Sequence, residues 1–144
     1  MTIIAYRAGM LAADSLETSG DVRTGYVPKI FRVNGGLIGF SGARPAIDAV
    51  LGWLHGGERP EGLGPDDLAA LLIQPDGSAW EMTSALVPFR VPGEFAAIGG
   101  AWRLAVGAMA FGANAVEAVK VAIDLNVNCG GPIRWMTLEA EGEL

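Results

Sequence analysis

The chain has 144 residues, a length that predicts one domain over residues 1–144 with its own hydrophobic core. Apolar residues make up 51% of the chain and charged residues only 18%, a composition that favours self-association. The net charge of −6 argues against nucleic-acid binding, because phosphate backbones are bound by clustered basic residues and the ten here are scattered.

The first strands of the chain are expected to form two hairpins. Each is made of two apolar runs around a turn-forming pair: residues 2–7 and 10–14 around Ala8-Gly9, and residues 29–33 and 36–41 around Asn34-Gly35. The polar residues 15–25 between the hairpins are predicted to form a loop.

A helix and a third hairpin follow. Pro45 suits a first helical turn, and apolar residues recur at helical spacing, which predicts an amphipathic helix over residues 44–55. The Gly- and Pro-rich residues 56–67 predict a loop. The runs 70–74 and 78–82 flank Pro75-Asp76-Gly77 and predict the hairpin.

The last third of the chain alternates between strand and helix. The predicted elements are a strand at 95–100, helices at 101–110 and 114–127, a strand at 129–138, and a frayed tail. Gly112 ends the first of these helices, and Asn114 with Glu117 forms a capping box for the second. The inward face of the second is predicted at Val116, Val119, Ile123 and Val127.

This order of elements predicts the fold class. Mostly antiparallel strands with helices in blocks indicate an α+β layered fold, not a doubly wound sheet. Two stacked sheets with helices outside would suit the apolar richness of the strands.

The chain has few cysteine and histidine residues, which argues against disulfides and zinc sites. Cys129 is the only cysteine, which precludes an internal disulfide, and one histidine, His55, leaves no His/Cys cluster for zinc. We expect no cofactor and no metal. No segment has signal-peptide form and no apolar run reaches membrane-spanning length, so the expected location is the cytoplasm, without a membrane partner.

Thr2 is the first residue that could carry chemistry. A threonine hydroxyl needs a neighbouring base to act as a nucleophile, and the α-amino group of a threonine that begins the chain can be that base. Removal of Met1 would expose it, since Thr is small enough at the second position. Thr2 could equally be a β-forming residue that opens a strand.

Asp14 and Lys29 are the next residues that could carry chemistry, if they lie near Thr2. In the first hairpin Arg7 faces Met10, so Asp14 falls opposite Ile3, beside Thr2. Asp14 could instead be a solvated strand end, and Lys29 a solvated edge lysine. If Lys29 lay near both, it would neutralise the carboxylate and lower the proton affinity of the hydroxyl and the amine.

Several motifs, in order, resemble those of the proteasome β subunit and HslV peptidase family of N-terminal nucleophile (Ntn) hydrolases. They are LAADSLETSG, VPKIFRVNGGLIGFSG, AIGG and NCGGPIRWMTL, which span most of the chain. The resemblance implies an αββα sandwich, two mostly antiparallel sheets between helical layers. It also implies a threonine-type peptidase that cuts peptides or unfolded proteins.

The resemblance assigns roles residue by residue. Thr2 would be the nucleophile, Asp14 and Lys29 the charged pair that tunes it, and Gly42 the backbone donor to the oxyanion. The supporting residues would be Gly100, Asn126 and Cys129. The substrate pocket would be lined by Val27 and Phe40, with Arg44 and Glu17 near its mouth, and would suit a medium-sized apolar side chain.

The chain departs from the family pattern in four places. The first hairpin is shorter by two residues in each arm, which keeps its register. Asn126 and Cys129 replace an Asp and a Ser, and Ala101 replaces the Ser of the first late glycine motif. The short segment after residue 55 predicts a reduced first helical layer.

Other interpretations remain open at this stage. The chain could be a catalytically inactive structural subunit of the same fold, or an Ntn amidohydrolase acting on small molecules; a ligand-binding module lacks any specific motif. The resemblance implies a homo-oligomer, possibly a ring, and leaves open an ATPase partner.

Overall fold

The computed structural model describes all 144 residues. The chain forms three helices, α1 (Arg44–Leu54), α2 (Trp102–Ala110) and α3 (Ala115–Leu125). The twelve strands are β1 (Ile4–Arg7), β2 (Met10–Ala13), β3 (Leu16–Ser19), β4 (Val22–Tyr26), β5 (Ile30–Val33), β6 (Gly36–Gly42), β7 (Leu68–Ile73), β8 (Ala79–Thr83), β9 (Phe89–Arg90), β10 (Phe95–Ile98), β11 (Arg134–Met136) and β12 (Glu141–Glu143). No helix is both long enough and apolar enough to cross a membrane.

Two five-stranded antiparallel sheets form the body of the molecule. The first has the order β10-β1-β2-β11-β12 and the second β5-β6-β7-β8-β9. Helices α2 and α3 pack on the outer face of the first sheet, and α1 packs on the outer face of the second. The predicted αββα sandwich is therefore confirmed, including the reduced layer, which consists of α1 alone.

The start of the chain shows how residue alternation builds these layers. Ile3 and Ala5 belong to the core beneath α2 and α3, whereas Ile4 between them belongs to the core between the two sheets. Successive side chains of a strand point to opposite faces, so a strand buried on both faces has no polar alternation. β1 is therefore held from both sides, and this fixes the position of the residues that precede it.

The predicted hairpin turns form as expected. Ala8 and Gly9 have φ values of 50° and 80°, and Asn34 and Gly35 have values of 50° and 77°. Two consecutive left-handed residues are what a tight two-residue hairpin requires. The first turn sets Arg7 opposite Met10 and Ile4 opposite Ala13.

The predicted loop at residues 15–25 was wrong. β3 and β4 pair there as a two-stranded antiparallel ribbon, with an irregularity between Glu17 and Thr18. Most of the ribbon is exposed, so it carries no alternation of apolar and polar residues from which a strand could be recognised. The two-residue strand β9 was missed because it is too short to give a pattern.

The predicted frayed tail was also wrong. β12 pairs with β11, and Leu144 and Ile133 exchange backbone hydrogen bonds of 2.8 and 2.9 Å. Ion pairs hold this end: Arg32 Nε donates to Glu141 Oε1 at 3.0 Å and Arg134 Nε to Glu143 Oε2 at 3.1 Å. The acidic residues at the end of the chain thus have basic partners on neighbouring strands.

The inward face of α3 agrees with the predicted one except at its end. The capping box forms between Asn114 and Glu117, Val119 is buried, and Val116 and Ile123 pack against the same core. Val127 was predicted wrongly, because it lies beyond the helix and is 81% exposed. The buried face is completed by small side chains that let α3 approach its neighbours closely, those of Ala115, Ala118 and Ala122.

Candidate active site

Asp14 is a buried carboxylate at the end of β2, with every oxygen bonded. Its backbone N–H donates to the carbonyl of Ile3 at 3.3 Å, so the hairpin register continues to this pair. Oδ1 accepts hydrogen bonds from Ile3 N at 3.1 Å and from Lys29 Nζ at 2.9 Å, and Oδ2 accepts one from Gly130 N at 3.1 Å. The residue is 1% exposed, and these bonds replace the water it loses.

Lys29 immediately precedes β5 and points its amine at the start of the chain. Nζ donates to Asp14 Oδ1 at 2.9 Å and to the carbonyl of Leu16 at 2.8 Å. It also lies 3.3 Å from Thr2 Oγ1 and 3.3 Å from the carbonyl oxygen of Met1. A cation this close to a hydroxyl favours loss of the hydroxyl proton. The structure therefore brings Thr2, Asp14 and Lys29 together.

Met1 lies over this group. Its amine donates to Thr18 Oγ1 at 3.4 Å. Because Met1 precedes Thr2, the nitrogen of Thr2 is a peptide nitrogen and not a free amine. Its side chain rests on Gly100, where an added Cβ would overlap it, and its sulfur accepts from Asn126 Nδ2 at 3.3 Å. Gly100 and Asn126 are thus near the start of the chain, but they contact Met1 rather than Thr2.

Cys129 lies behind the charged pair and is 4% exposed. Burial raises the pKa of its thiol to about 11; the charge of Asp14 acts in the same direction, while Lys29 and the chain amine oppose it. The thiol is therefore neutral at physiological pH and adds no second negative charge beside Asp14.

A cavity of about 510 Å³ opens beside Thr2 and Lys29. Residues predicted for the substrate pocket or as oxyanion donor line it together: Glu17, Val27, Phe40, Gly42 and Arg44. The aromatic ring of Phe31 lies 6.1 Å from that of Phe40 in a tilted arrangement. The cavity thus has an aromatic wall on one side and the β3–β4 ribbon on the other.

Sequence reasoning missed part of the cavity wall. Ile47, Asp48 and Leu51 line it together with Arg44, all from one face of α1. They follow Arg44 by three, four and seven residues, and this helical spacing is the signal that could have identified them. Phe31 alternates with Lys29 along one strand, and it too was not predicted. One face of α1 therefore lines the cavity together with the aromatic rings and the β3–β4 ribbon.

Arg44 and Glu17 meet at the mouth of the cavity. Arg44 Nη1 lies 2.8 Å from Glu17 Oε2, with side chains 61% and 34% exposed. The pair joins the first turn of α1 to strand β3. It is therefore a solvent-screened link between the two sides of the cavity.

Gly42 lines the cavity at the end of β6. Phe40 N donates to the carbonyl of Lys29 at 2.9 Å, and alternate residues of a strand point their N–H groups to the same side. The N–H of Gly42, two residues after Phe40, is therefore expected on the edge of β6 that faces β5, beyond the first residue of that strand. A backbone donor at this position could stabilise a negative oxygen.

Gly42 is held in place by the chain before β7. Its φ is +138°, and an added Cβ would overlap the carbonyl oxygen of Asp67. The same oxygen accepts from Ala43 N at 2.8 Å. Only glycine fits this corner without strain.

A second polar contact, not predicted from the sequence, supports the site. Ser15 is fully buried, and its Oγ donates to the carbonyl of Pro132 at 2.8 Å. Its N–H and that of Leu16 both donate to the carbonyl of Gly130, at 3.0 and 3.1 Å. These bonds fix the loop whose Gly130 N–H binds Asp14.

Comparison with solved structures identifies the fold. The chain is similar to the BPH protein of Thiobacillus denitrificans (TM-score 0.72, 17% identity, covering 95% of this chain and 97% of that one). It is similar to the same protein in complex with epoxomicin (TM-score 0.67, 19% identity, 95% and 98% covered) and to eukaryotic HslV from Trypanosoma brucei (0.71, 14%, 94% and 97%). No family model and no curated protein sequence matches the chain. The fold predicted from the family resemblance is thus confirmed by structural similarity alone.

Proposed function

We propose that this protein is a threonine-type N-terminal nucleophile peptidase, active once Met1 has been removed. The observation that carries the proposal is the position of Lys29 Nζ, 2.9 Å from the Asp14 carboxylate and 3.3 Å from the Thr2 hydroxyl, at the end of a cavity. Removal of Met1 would turn the nitrogen of Thr2 into a free amine two bonds from the carbon that bears its own hydroxyl.

The proposed reaction has two steps. The Thr2 hydroxyl attacks an amide carbonyl while its amine takes the proton, and the Gly42 N–H stabilises the oxyanion. The C–N bond then breaks, the leaving nitrogen takes the proton from the amine, and an ester to Thr2 Oγ1 remains. Water, deprotonated by the same amine, hydrolyses the ester and releases the acid.

The charges around Thr2 suit this chemistry. A lysine ammonium at this position lowers the proton affinity of the hydroxyl and of the freed amine. The hydrogen bonds of Asp14 come from Ile3 N, Lys29 Nζ and Gly130 N, and none comes from the Thr2 hydroxyl. The freed amine of Thr2 is therefore proposed as the base.

The comparisons lend independent support to a peptide substrate. A solved complex of the Thiobacillus BPH protein contains epoxomicin. Its fold is shared over almost the whole of both chains, so an inhibitor of that shape is a reasonable probe for the cavity beside Thr2.

One observation favours a second candidate, a catalytically inactive protein of the same fold. Lys29 bonds the carbonyl of Met1, and Asn126 bonds its sulfur, so the unprocessed start of the chain is well accommodated. A chain that keeps Met1 has no free Thr2 amine and would serve as a structural subunit.

Mass spectrometry combined with inhibitor labelling separates the two candidates. We expect the purified chain to lack Met1, to hydrolyse fluorogenic peptides, and to gain the mass of one peptide epoxyketone on Thr2. Thr2→Ala should abolish both turnover and labelling, whereas Thr24→Ala, a change at another cavity threonine, should retain them. A chain lacking Met1 that neither hydrolyses peptides nor becomes labelled would refute the peptidase proposal.

A further inference from the structure

The Met1 side chain lies on a surface formed by Gly100 and Asn126, which we call the Met1 seat. The proposed reaction does not use this surface. The side chain lies directly on Gly100, whose missing Cβ would otherwise occupy the positions of the Met1 Cγ and Sδ atoms. Asn126 Nδ2 donates to the sulfur at 3.3 Å, and the Oδ1 of the same residue is already bonded to Asn128 N at 2.9 Å. The amide therefore has a fixed orientation, with its donor toward the seat.

Removal of Met1 would empty this seat beside the reacting atoms. In the proposed reaction, on which this inference rests, the Thr2 amine passes its proton to the leaving nitrogen. The two nitrogens must then lie within hydrogen-bond distance. Because Met1 is bonded directly to the Thr2 nitrogen, the space that Met1 fills lies beside that nitrogen and is available to the first residue of the leaving peptide once Met1 is gone.

We propose that the surface formed by Gly100 and Asn126 is a binding subsite for the substrate residue that follows the cleaved bond. The structure shows one side chain that fits it, the unbranched apolar chain of methionine. The subsite is expected to accept methionine and norleucine and to disfavour valine and isoleucine.

Shape is the reason for this preference. The Met1 atoms that lie closest to Gly100 are Cγ, Sδ and Cε. A valine side chain ends at its γ carbons and leaves the positions of Sδ and Cε empty, and the stiff χ1 angle of valine and isoleucine limits how their side chains can be directed onto the glycine. Hydrogen bonding adds less, because a thioether sulfur is a weak acceptor.

The same subsite should bind amines that intercept the ester intermediate. By microscopic reversibility, an amine held where the leaving nitrogen departs can attack the ester carbonyl. A new amide C–N bond then forms, the bond to Thr2 Oγ1 breaks, and the proton lost by the amine returns through the Thr2 nitrogen to Oγ1. Water and the added amine therefore compete, and a change in their ratio between the parent chain and a variant of the subsite reports on the subsite.

The test compares amines with a chain released from a cleavable fusion so that Thr2 is its first residue. With a fluorogenic peptide substrate, methioninamide should intercept the ester roughly 5- to 10-fold more effectively than valinamide, about the effect of burying one to two methylenes. Norleucinamide should match methioninamide within about twofold. Equal interception by valinamide and methioninamide would overturn the proposal.

Matched variants assign the effect to the seat. Gly100→Ala should remove the preference for methioninamide over valinamide, whatever happens to the overall rate. Gly107→Ala places the same methyl group in α2 where nothing lies within 4 Å, and it should keep the preference. Asn126→Leu should keep the preference for unbranched chains but erase any advantage of methionine over norleucine.

A binding arm distinguishes failure of the subsite from failure of the proposed function. In the Met1-free Thr2→Ala chain, methioninamide should shift the NMR signals of Gly100 and Asn126, and valinamide should require several-fold higher concentration. Such binding without turnover in the parent chain would refute the peptidase and keep the subsite. Turnover without this selectivity would do the reverse.

Discussion

Lys29 and Asp14 form a buried ion pair, with 2.9 Å between Nζ and Oδ1 and side chains that are 8% and 0% exposed. The pair joins the end of β2 in the first sheet to the start of β5 in the second. Each partner also makes hydrogen bonds to backbone groups, Asp14 to two N–H groups and Lys29 to the carbonyl of Leu16. The pair therefore links the architecture of the fold to the proposed chemistry.

Removing one partner of this pair should be strongly destabilising. Lys29→Met leaves a buried carboxylate with no cation, and such changes cost about 3–5 kcal/mol. We expect a loss of that order in the free energy of unfolding measured by urea denaturation. Glu143→Gln, which breaks an exposed pair with Arg134, should cost less than about 1 kcal/mol. Similar costs for both variants would contradict the view that burial distinguishes these pairs.

The second prediction concerns Gly42 and the backbone turn that sets the direction of its N–H. Gly42→Ala would place a methyl group against the carbonyl of Asp67 at a φ of +138°. We expect a loss of about 1–3 kcal/mol in stability. We also expect a fall of about 100-fold in kcat, because a displaced donor no longer reaches the oxyanion.

Gly20→Ala is the control for the Gly42 variant. Gly20 also has a positive φ, of +60°, but no atom lies where its Cβ would be, and it lies at the turn of the β3–β4 ribbon. It should lose some stability and keep its kcat. Equal losses of kcat in the two variants would show that backbone strain alone, and not the position of the donor, lowers the rate.

Most elements of the fold could be predicted from the sequence, because short-range patterns determine them. Asn34-Gly35 sets a turn by its own backbone preference, and the Asn114 capping box is complete within four residues. The β3–β4 ribbon and β12 could not be predicted in this way. Their strands are stabilised by partners elsewhere, such as Arg32 for Glu141, and not by an apolar face of their own.

The positions of the candidate site residues were predictable to the extent that hairpin register controls them. The turn at Ala8 and Gly9 carried Asp14 to the level of Ile3, and the backbone bond between those residues agrees. The approach of Lys29 depends on the stacking of two sheets, which suits the apolar richness of the strands but which their periodicity alone cannot show. The contact of Asn126 with Met1 rather than with Thr2 depends on side-chain packing that has no sequence signal.

The ion pair between Arg44 and Glu17 leads to a third prediction, about the mouth of the cavity. Both side chains are exposed enough for water to screen them, so Arg44→Ala should change stability by less than about 1 kcal/mol. It should instead change KM for peptide substrates, since Arg44 lines the cavity. An Arg44→Glu, Glu17→Arg double variant should restore the link and most of the original KM. A double variant no better than either single one would show that the pair does not act as a unit.

Cys129 allows a prediction about pH. Burial raises the pKa of its thiol from 9.0 to about 11, so between these values the unfolded chain loses a proton that the folded chain keeps. The folded state then binds more protons, and stability falls as pH rises through this window. Below pH 9 both states are protonated and the thiol has no effect. Urea denaturation from pH 7 to 11 should show a smaller alkaline loss in Cys129→Ala than in the parent chain.

The reactivity of the same thiol gives an independent measurement. At pH 8 a thiol of pKa about 11 is ionised roughly 100-fold less than one of ordinary pKa, and only the thiolate reacts. Labelling of the folded chain by a disulfide reagent should be slower by at least that factor than labelling in urea. Fast labelling of the folded chain would mean that Cys129 is ionised beside Asp14. Lys29 would then neutralise the Cys129 thiolate as well as Asp14. Its proposed effect on the proton affinity of the Thr2 hydroxyl would be weaker.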